Sequence, residues 1–112
     1  MTIYISLPIT GHDQTERKEL AEKACKILSR RYPNASIITP FHLAVCVDMR
    51  MKYPGYVDYM KEDIGFILGK ADTVCFLVDP RLTLSKGVRL EWQAAKIYGK
   101  RTMRLNVRRA ER

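Results

Sequence analysis

The sequence lacks long apolar runs and has few cysteines. No segment approaches the roughly 18 consecutive apolar residues that a membrane-spanning helix requires. Its three cysteines, Cys25, Cys46 and Cys75, are odd in number and form no CxxC pair or zinc-like cluster with histidine. Neither a disulfide framework nor a metal site is therefore expected. The first residues also lack the features of a secretory signal, and we expect a cytoplasmic protein that needs no cofactor.

Acidic residues are outnumbered by basic ones. The chain has 12 Asp and Glu against 20 Lys and Arg, a formal net charge of +8. Such an excess attracts anions, either phosphorylated metabolites or nucleic acid. A solvated basic surface is an equally good interpretation. At 112 residues and 46% hydrophobic content, the chain is long enough for one core, and we predict a single domain over residues 1–112.

Apolar periodicity predicts an α/β chain. Strands are predicted at residues 2–7, 35–39, 71–78 and 101–106. Helices are predicted at 13–31, 56–69 and 87–98, where apolar residues recur at helical spacing. Residues 41–55 show no clean period and are predicted to be a loop with one helical turn at most. This order favours a parallel sheet with helices on both faces: a three-layer Rossmann/flavodoxin-like domain with a short sheet of four to five strands.

Ligands of such sheets bind outside the carboxyl ends of the strands. Two segments at these strand ends, residues 7–12 and 84–87, precede predicted helices. Both contain small or hydroxyl residues, as phosphate-binding helix N-termini do. Simple helix caps have the same composition, so each segment alone is a weak signal. The predicted substrate- or phosphate-binding residues are Ser6, Pro8, Ile9, Thr10, Gly11, Ser85 and Gly87.

Glu91 is the most informative residue of the last predicted helix. It falls in the middle of an apolar arc that also contains Val88, Leu90, Ala94, Ala95, Ile97 and Tyr98. Burying an unpaired carboxylate is costly or shifts its pKa. Two interpretations remain open: a structural carboxylate paired with a basic or hydroxyl group, or a catalytic carboxylate at the mouth of a cleft.

Asp63 in the middle helix and Tyr4 in the first strand are further candidates. Asp63 lies near the apolar side of its helix, which is typical of a residue that makes a cap or a salt bridge. Beside a second inward carboxylate, it becomes a candidate for acid–base chemistry. A strand tyrosine such as Tyr4 is usually a packing residue.

Three segments together resemble the nucleoside 2-deoxyribosyltransferase-like superfamily: Thr2-Ile3-Tyr4, Glu62-Asp63-Ile64 and Ser85-Lys86-Gly87-Val88-Arg89-Leu90-Glu91. The start YISLPITG and the stretch SKGVRLEWQAAKIYGKR resemble its short bacterial and phage branch, near the deoxynucleoside 5'-monophosphate N-glycosidases. The resemblance covers nearly the whole chain.

The resemblance implies a double-displacement mechanism. Glu91 would attack the anomeric carbon and form a glycosyl-enzyme ester. Tyr4 would orient Glu91, and Asp63 would act near the base or sugar. Ser85 stands six residues before Glu91, where the monophosphate glycosidases carry a phosphate-binding serine, and this favours a nucleotide substrate. The family also implies a homo-oligomer.

Two other function classes remain open. One is a nucleotide-binding or regulatory module without catalysis. The other is a nucleic-acid-binding protein, suggested by basic residues near the C-terminus, although no recognisable nucleic-acid-binding motif accompanies them. We rank them second and third and do not expect a nucleic-acid partner. His42 is interpreted as an exposed loop residue that could touch a base or phosphate, and Trp92 as a packing residue.

Overall fold

The computed structural model describes residues 1–7, 14–78 and 86–107. Strands and helices alternate in this part of the chain, with two helices between the second and third strands. In chain order the elements are β1 (Thr2–Ser6), α1 (Gln14–Arg31), β2 (Ser36–Ile38), α2 (Pro40–Arg50), α3 (Tyr56–Gly69), β3 (Thr73–Val78), α4 (Lys86–Ile97) and β4 (Arg101–Asn106).

The four strands form one parallel sheet in the order β2-β1-β3-β4. Strand β1 is central, and its Tyr4 lies opposite Ile38 of β2 and Val74 of β3. The chain moves from β1 outward to β2 and then returns across β1 to β3. The order therefore reverses between β1 and β3, which is the topological switch point where ligands of such sheets bind.

Alternation along β1 divides the interior into two apolar clusters. Ile3 and Ile5 pack on one face with residues of α1. Tyr4 packs on the other face with Ile67 of α3 and Ala95 of α4. Successive side chains of a strand point to opposite faces, so α1 covers one face of the sheet while α3 and α4 cover the other. The predicted α/β class and three-layer arrangement are confirmed, with four strands in the described part of the chain.

Helix α2 corrects the prediction of a loop over residues 41–55. Thr39 is its N-cap: the Thr39 hydroxyl accepts a hydrogen bond from the His42 backbone N–H at 3.4 Å, and His42 Nδ1 accepts one from the Thr39 N–H at 2.9 Å. Pro40 occupies the first helical turn, where a missing N–H costs nothing. Pro40 follows the predicted strand 35–39 directly and is the first residue of α2. His42 is exposed and completes this cap.

Most other boundaries agree with the predictions to within two residues. Three residues of the arc predicted for the last helix are exposed rather than buried: Leu90 is 38% exposed, Ile97 76% and Tyr98 60%. Leu90 lies within the helix, whereas Ile97 and Tyr98 lie at its end. The helix ends there, because Gly99 adopts a φ of 68° and the Lys100 N–H donates to the Ala95 carbonyl at 2.9 Å. Such a left-handed turn favours glycine and terminates a helix. Among the described helices, none is both long and apolar enough to cross a membrane.

Candidate functional site

Strand β1 places two hydroxyl side chains on the face that α3 and α4 cover. Tyr4 and Ser6 are two residues apart, so they share one face of the strand, and both are almost completely buried, at 0% and 1% exposure. Ser6 is the last residue of β1. The pair therefore lies at the carboxyl half of a central strand, beside the switch point.

Glu91 of α4 accepts hydrogen bonds from both hydroxyls. Tyr4 Oη donates to Glu91 Oε2 at 2.6 Å, and Ser6 Oγ donates to Glu91 Oε1 at 2.9 Å. Glu91 is only 3% exposed. Of the two pairings predicted for a buried carboxylate, the described residues supply the hydroxyl type. Glu91 is the sixth residue of α4, one residue further from the helix start than in the predicted helix 87–98.

Asp63 brings a second carboxyl group to the same place from α3. It is 6% exposed and is close enough to Tyr4 and Glu91 for each to change its pKa. It is a buried residue of the apolar side of α3, where Ile67 lies one turn later. Asp63 is therefore buried rather than at the boundary of its helix. Its neighbour Glu62 forms an ion pair with Arg50 at 2.7 Å.

The surroundings raise the pKa of both carboxyl groups. Burial raises the pKa of Glu91 to about 7, partly offset by the hydrogen bonds from Tyr4 and Ser6. Burial and then the negative charge of Glu91 raise the pKa of Asp63 to about 8, partly offset by the Tyr4 hydroxyl. Burial and the nearby carboxylates raise the pKa of Tyr4 well above its ordinary value, so its hydroxyl stays a donor.

In this arrangement the two carboxyl groups lose their protons at different pH values. Near neutral pH, Glu91 is the group that ionises first, because two hydroxyls stabilise its charge. Asp63 ionises at higher pH, because burial and the negative charge of Glu91 both oppose its ionisation. Carboxyl groups whose surroundings separate their pKa values are a common way to obtain a base or nucleophile and an acid in one site. Since the groups interact, the two pKa values belong to the pair.

The other predicted site residues divide into two sets. Ser6 is described, and its hydroxyl contacts Glu91, a pairing that the sequence analysis did not predict although strand alternation placed it beside Tyr4. Gly87 is the second residue of α4. The remaining ones lie outside the described residues: Pro8, Ile9, Thr10, Gly11 and Ser85. Their roles stay predictions.

Trp92, next to Glu91 in sequence, is partly exposed, unlike the buried carboxyl pair. It is 42% exposed, and Lys96 Nζ lies 5.1 Å from the centre of its ring. Within residues 1–7, 14–78 and 86–107, no group of three or more His, Cys, Asp or Glu side chains is placed to hold a metal ion.

A protein-family model described as Domain of unknown function (DUF4406) matches residues 1–104. The chain belongs to the DUF4406 family. The matched residues include every member of the buried cluster of Tyr4, Ser6, Asp63 and Glu91. No curated protein and no solved structure shows significant similarity to this DUF4406 chain.

Proposed function

We propose that this chain is an enzyme that cleaves or transfers at the N-glycosidic bond of a nucleoside or a (deoxy)nucleoside 5'-monophosphate. The observation that carries the proposal is the buried pair of Glu91 and Asp63, joined to Tyr4 and Ser6 at the switch point of the sheet. A structural role alone accounts poorly for two carboxyl groups buried together, since each costs folding free energy when it ionises. The resemblance to the nucleoside 2-deoxyribosyltransferase-like superfamily supports the same residues.

The proposed first step is nucleophilic. One carboxylate oxygen of Glu91 attacks the anomeric carbon, and the bond from that carbon to the base nitrogen breaks. The bonding electron pair leaves with the base, and Asp63 donates its proton to it. Tyr4 and Ser6 hold the carboxylate during the attack. The products of this step are a glycosyl ester on Glu91 and the free base.

The second step regenerates both carboxyl groups. A water oxygen attacks the anomeric carbon, the ester bond to Glu91 breaks, and the water proton passes to Asp63. In a transferase, the nitrogen of a second base takes the place of water. The sugar, or its phosphate, is then released and the cycle closes.

The charge supports an anionic substrate. A net charge of +8 attracts phosphorylated metabolites over long range, and Ser85 and the 8–11 segment are the predicted phosphate contacts. We place the protein in the cytoplasm, without a cofactor.

We also propose a homo-oligomer of two or more copies. Helices α2 and α3 leave several large apolar side chains exposed, including Val45 at 57%, Met49 at 83% and Val57 at 59%. Val45 and Met49 are four residues apart on α2 and so share one side of that helix, and exposed apolar surface of this kind is typical of protein–protein contacts. This surface is distinct from the buried face that contains Asp63.

Base release tests the proposed function. The purified protein is incubated with a panel of nucleosides and 5'-monophosphates, and free base is measured by chromatography. We expect release from monophosphates that Glu91→Gln abolishes. Glu19→Gln, an exposed change on α1, is the matched control and leaves release intact.

The other outcomes are equally informative. Release only when a second base is supplied places the protein among transferases. Nucleotide binding without turnover on any substrate contradicts the enzyme and favours a binding module. A steeply salt-dependent affinity for oligonucleotides, with no turnover, would favour nucleic-acid binding instead.

A further inference from the structure

Ser6 occupies an unusual position for a predicted phosphate contact. Its side chain is 1% exposed, and its hydroxyl lies 2.9 Å from Glu91 Oε1. A serine hydroxyl has a single proton to donate. While that proton is directed to Glu91, Ser6 has none to donate to a phosphate oxygen.

We propose that Ser6 is a positioning residue for Glu91, whose hydroxyl fixes the plane of the carboxylate and stabilises its charge. The proposal rests on the proposed function of Glu91 as nucleophile. It moves Ser6 out of the group of predicted phosphate contacts.

The geometry explains why one hydrogen-bond donor does not fix the orientation of the Glu91 carboxylate. The last torsion of a glutamate side chain is broad and roughly two-fold, so a carboxylate held by one oxygen still rotates. Tyr4 binds Oε2 and Ser6 binds Oε1. Both donors come from one strand that is paired on both sides, two residues apart, and together they fix both oxygens.

The same contact stabilises the reactive form. A hydrogen bond to an ionised acceptor is stronger than a neutral one. The groups that face Glu91 from the elements packed on it, within the described residues, are Tyr4 and Ser6 of β1 and Asp63 of α3. Burial raises the pKa of Glu91, and only the two hydroxyls oppose this effect. Removing the Ser6 hydroxyl therefore favours the protonated, unreactive carboxyl group.

Ser6→Ala removes the hydroxyl with little change in volume. If Ser6 positions Glu91, the acid limb of the pH profile of kcat moves up by about one pH unit, and kcat at pH 7 falls roughly fivefold. KM changes equally little for nucleosides and for their monophosphates. If Ser6 instead binds phosphate, KM rises for monophosphates alone and the acid limb stays in place, which overturns the proposal.

A second variant and a control separate this effect from general damage to the fold. Ser6→Cys has a similar volume and a weaker donor, so its acid limb is expected between those of wild type and Ser6→Ala. Thr73→Val removes another buried hydroxyl, on β3, that lies against Met1. It leaves the pH profile unchanged.

A titration without turnover distinguishes failure of this proposal from failure of the proposed function. The carboxyl carbon of Glu91, assigned by its loss in Glu91→Gln, is followed by ¹³C NMR against pH. A higher pKa in Ser6→Ala supports the contact even if no substrate is turned over. An unchanged pKa overturns the assignment even in an active enzyme.

Discussion

Glu91 and Asp63 are both removed from water, yet they have different partners. Glu91 accepts two short hydrogen bonds, whereas the charge of Glu91 itself opposes ionisation of Asp63. Helical periodicity predicted that Glu91 faces the interior, and its exposure of only 3% confirms this. Periodicity could not identify the partner, because the Ser6 and Tyr4 hydroxyls are more than 80 residues away in sequence.

Replacing Asp63 by asparagine tests whether catalysis requires Glu91 to be ionised while Asp63 is protonated. With an ionised Glu91 and a protonated Asp63 required together, kcat follows a narrow bell between apparent pKa values of about 7 and about 8. Asp63→Asn abolishes the alkaline limb, since an amide does not titrate there, and lowers kcat by about 10²-fold or more. The pH profile of kcat is the measurement.

Glu62→Gln is the matched control for that change. Glu62 is the preceding residue of α3 and pairs with Arg50. The pH profile of kcat should keep both its acid and its alkaline limb in this variant. An alkaline limb that persists in Asp63→Asn would contradict the role of Asp63 as the acid.

Replacing Glu91 by glutamine should stabilise the protein at high pH. The pKa of Glu91 is raised from its ordinary 4.5 to about 7 in the folded state, so the folded protein binds this proton more tightly than the unfolded chain. The resulting cost is absent below about pH 4.5 and complete above about pH 7. Glu91→Gln relieves on the order of 2–3 kcal/mol at pH 8 and close to none at pH 4.

Chemical denaturation of wild type and Glu91→Gln at the two pH values measures this difference. Glu19→Gln, on the exposed face of α1, provides the comparison for loss of a surface charge. Destabilisation by Glu91→Gln at pH 8 would show that the charged carboxylate contributes to folding and would contradict the sign of the predicted effect.

At the scale of elements, helices and strands with a clear period could be predicted and α2 could not. The three predicted helices and four predicted strands are all present, with boundaries shifted by two residues or fewer. Helix α2 was missed because its start depends on a cap of Thr39, Pro40 and His42, in which histidine takes the place usual for Glu or Gln. The buried residues Leu43 and Val47 were too few to give a period.

Thr39→Ala tests the cap of α2. Thr39 is 3% exposed, and its hydroxyl accepts the His42 N–H. Loss of such a cap costs about 1 kcal/mol of unfolding free energy, measured by urea denaturation. Thr102→Ala, on the exposed side of β4, is the control and costs less. Equal effects of the two changes would contradict a specific capping role.

At the scale of the molecule, the net charge and the exposed apolar side chains determine which partners the protein binds, and they do not determine its fold. Alternating strands and helices predict a parallel sheet with helices on both faces, whereas the strand order β2-β1-β3-β4 is seen only in the structure. Assembly could not be derived in the same way. Met49 lies in the segment predicted as a loop and Val57 in a predicted helix, and neither prediction says that the two side chains are exposed, as they are in the fold.

Met49→Glu tests the proposed assembly. A charge at this exposed apolar position should weaken self-association at least about tenfold, measured by sedimentation velocity over a range of protein concentrations. Ser29→Glu is the control. It adds the same charge at an exposed position of α1, on the opposite face of the sheet, and leaves association unchanged. A protein that is monomeric at every concentration would contradict the homo-oligomer.

The most direct test of the central claim is detection of the glycosyl ester on Glu91. The protein is mixed with a 5'-monophosphate that it turns over, quenched rapidly in acid and analysed as intact protein and peptides by mass spectrometry. We predict the added mass of one sugar phosphate on the peptide that contains Glu91, present in Glu19→Gln and absent in Glu91→Gln. Base release that proceeds without this adduct, and at an undiminished rate in Glu91→Gln, would contradict the account.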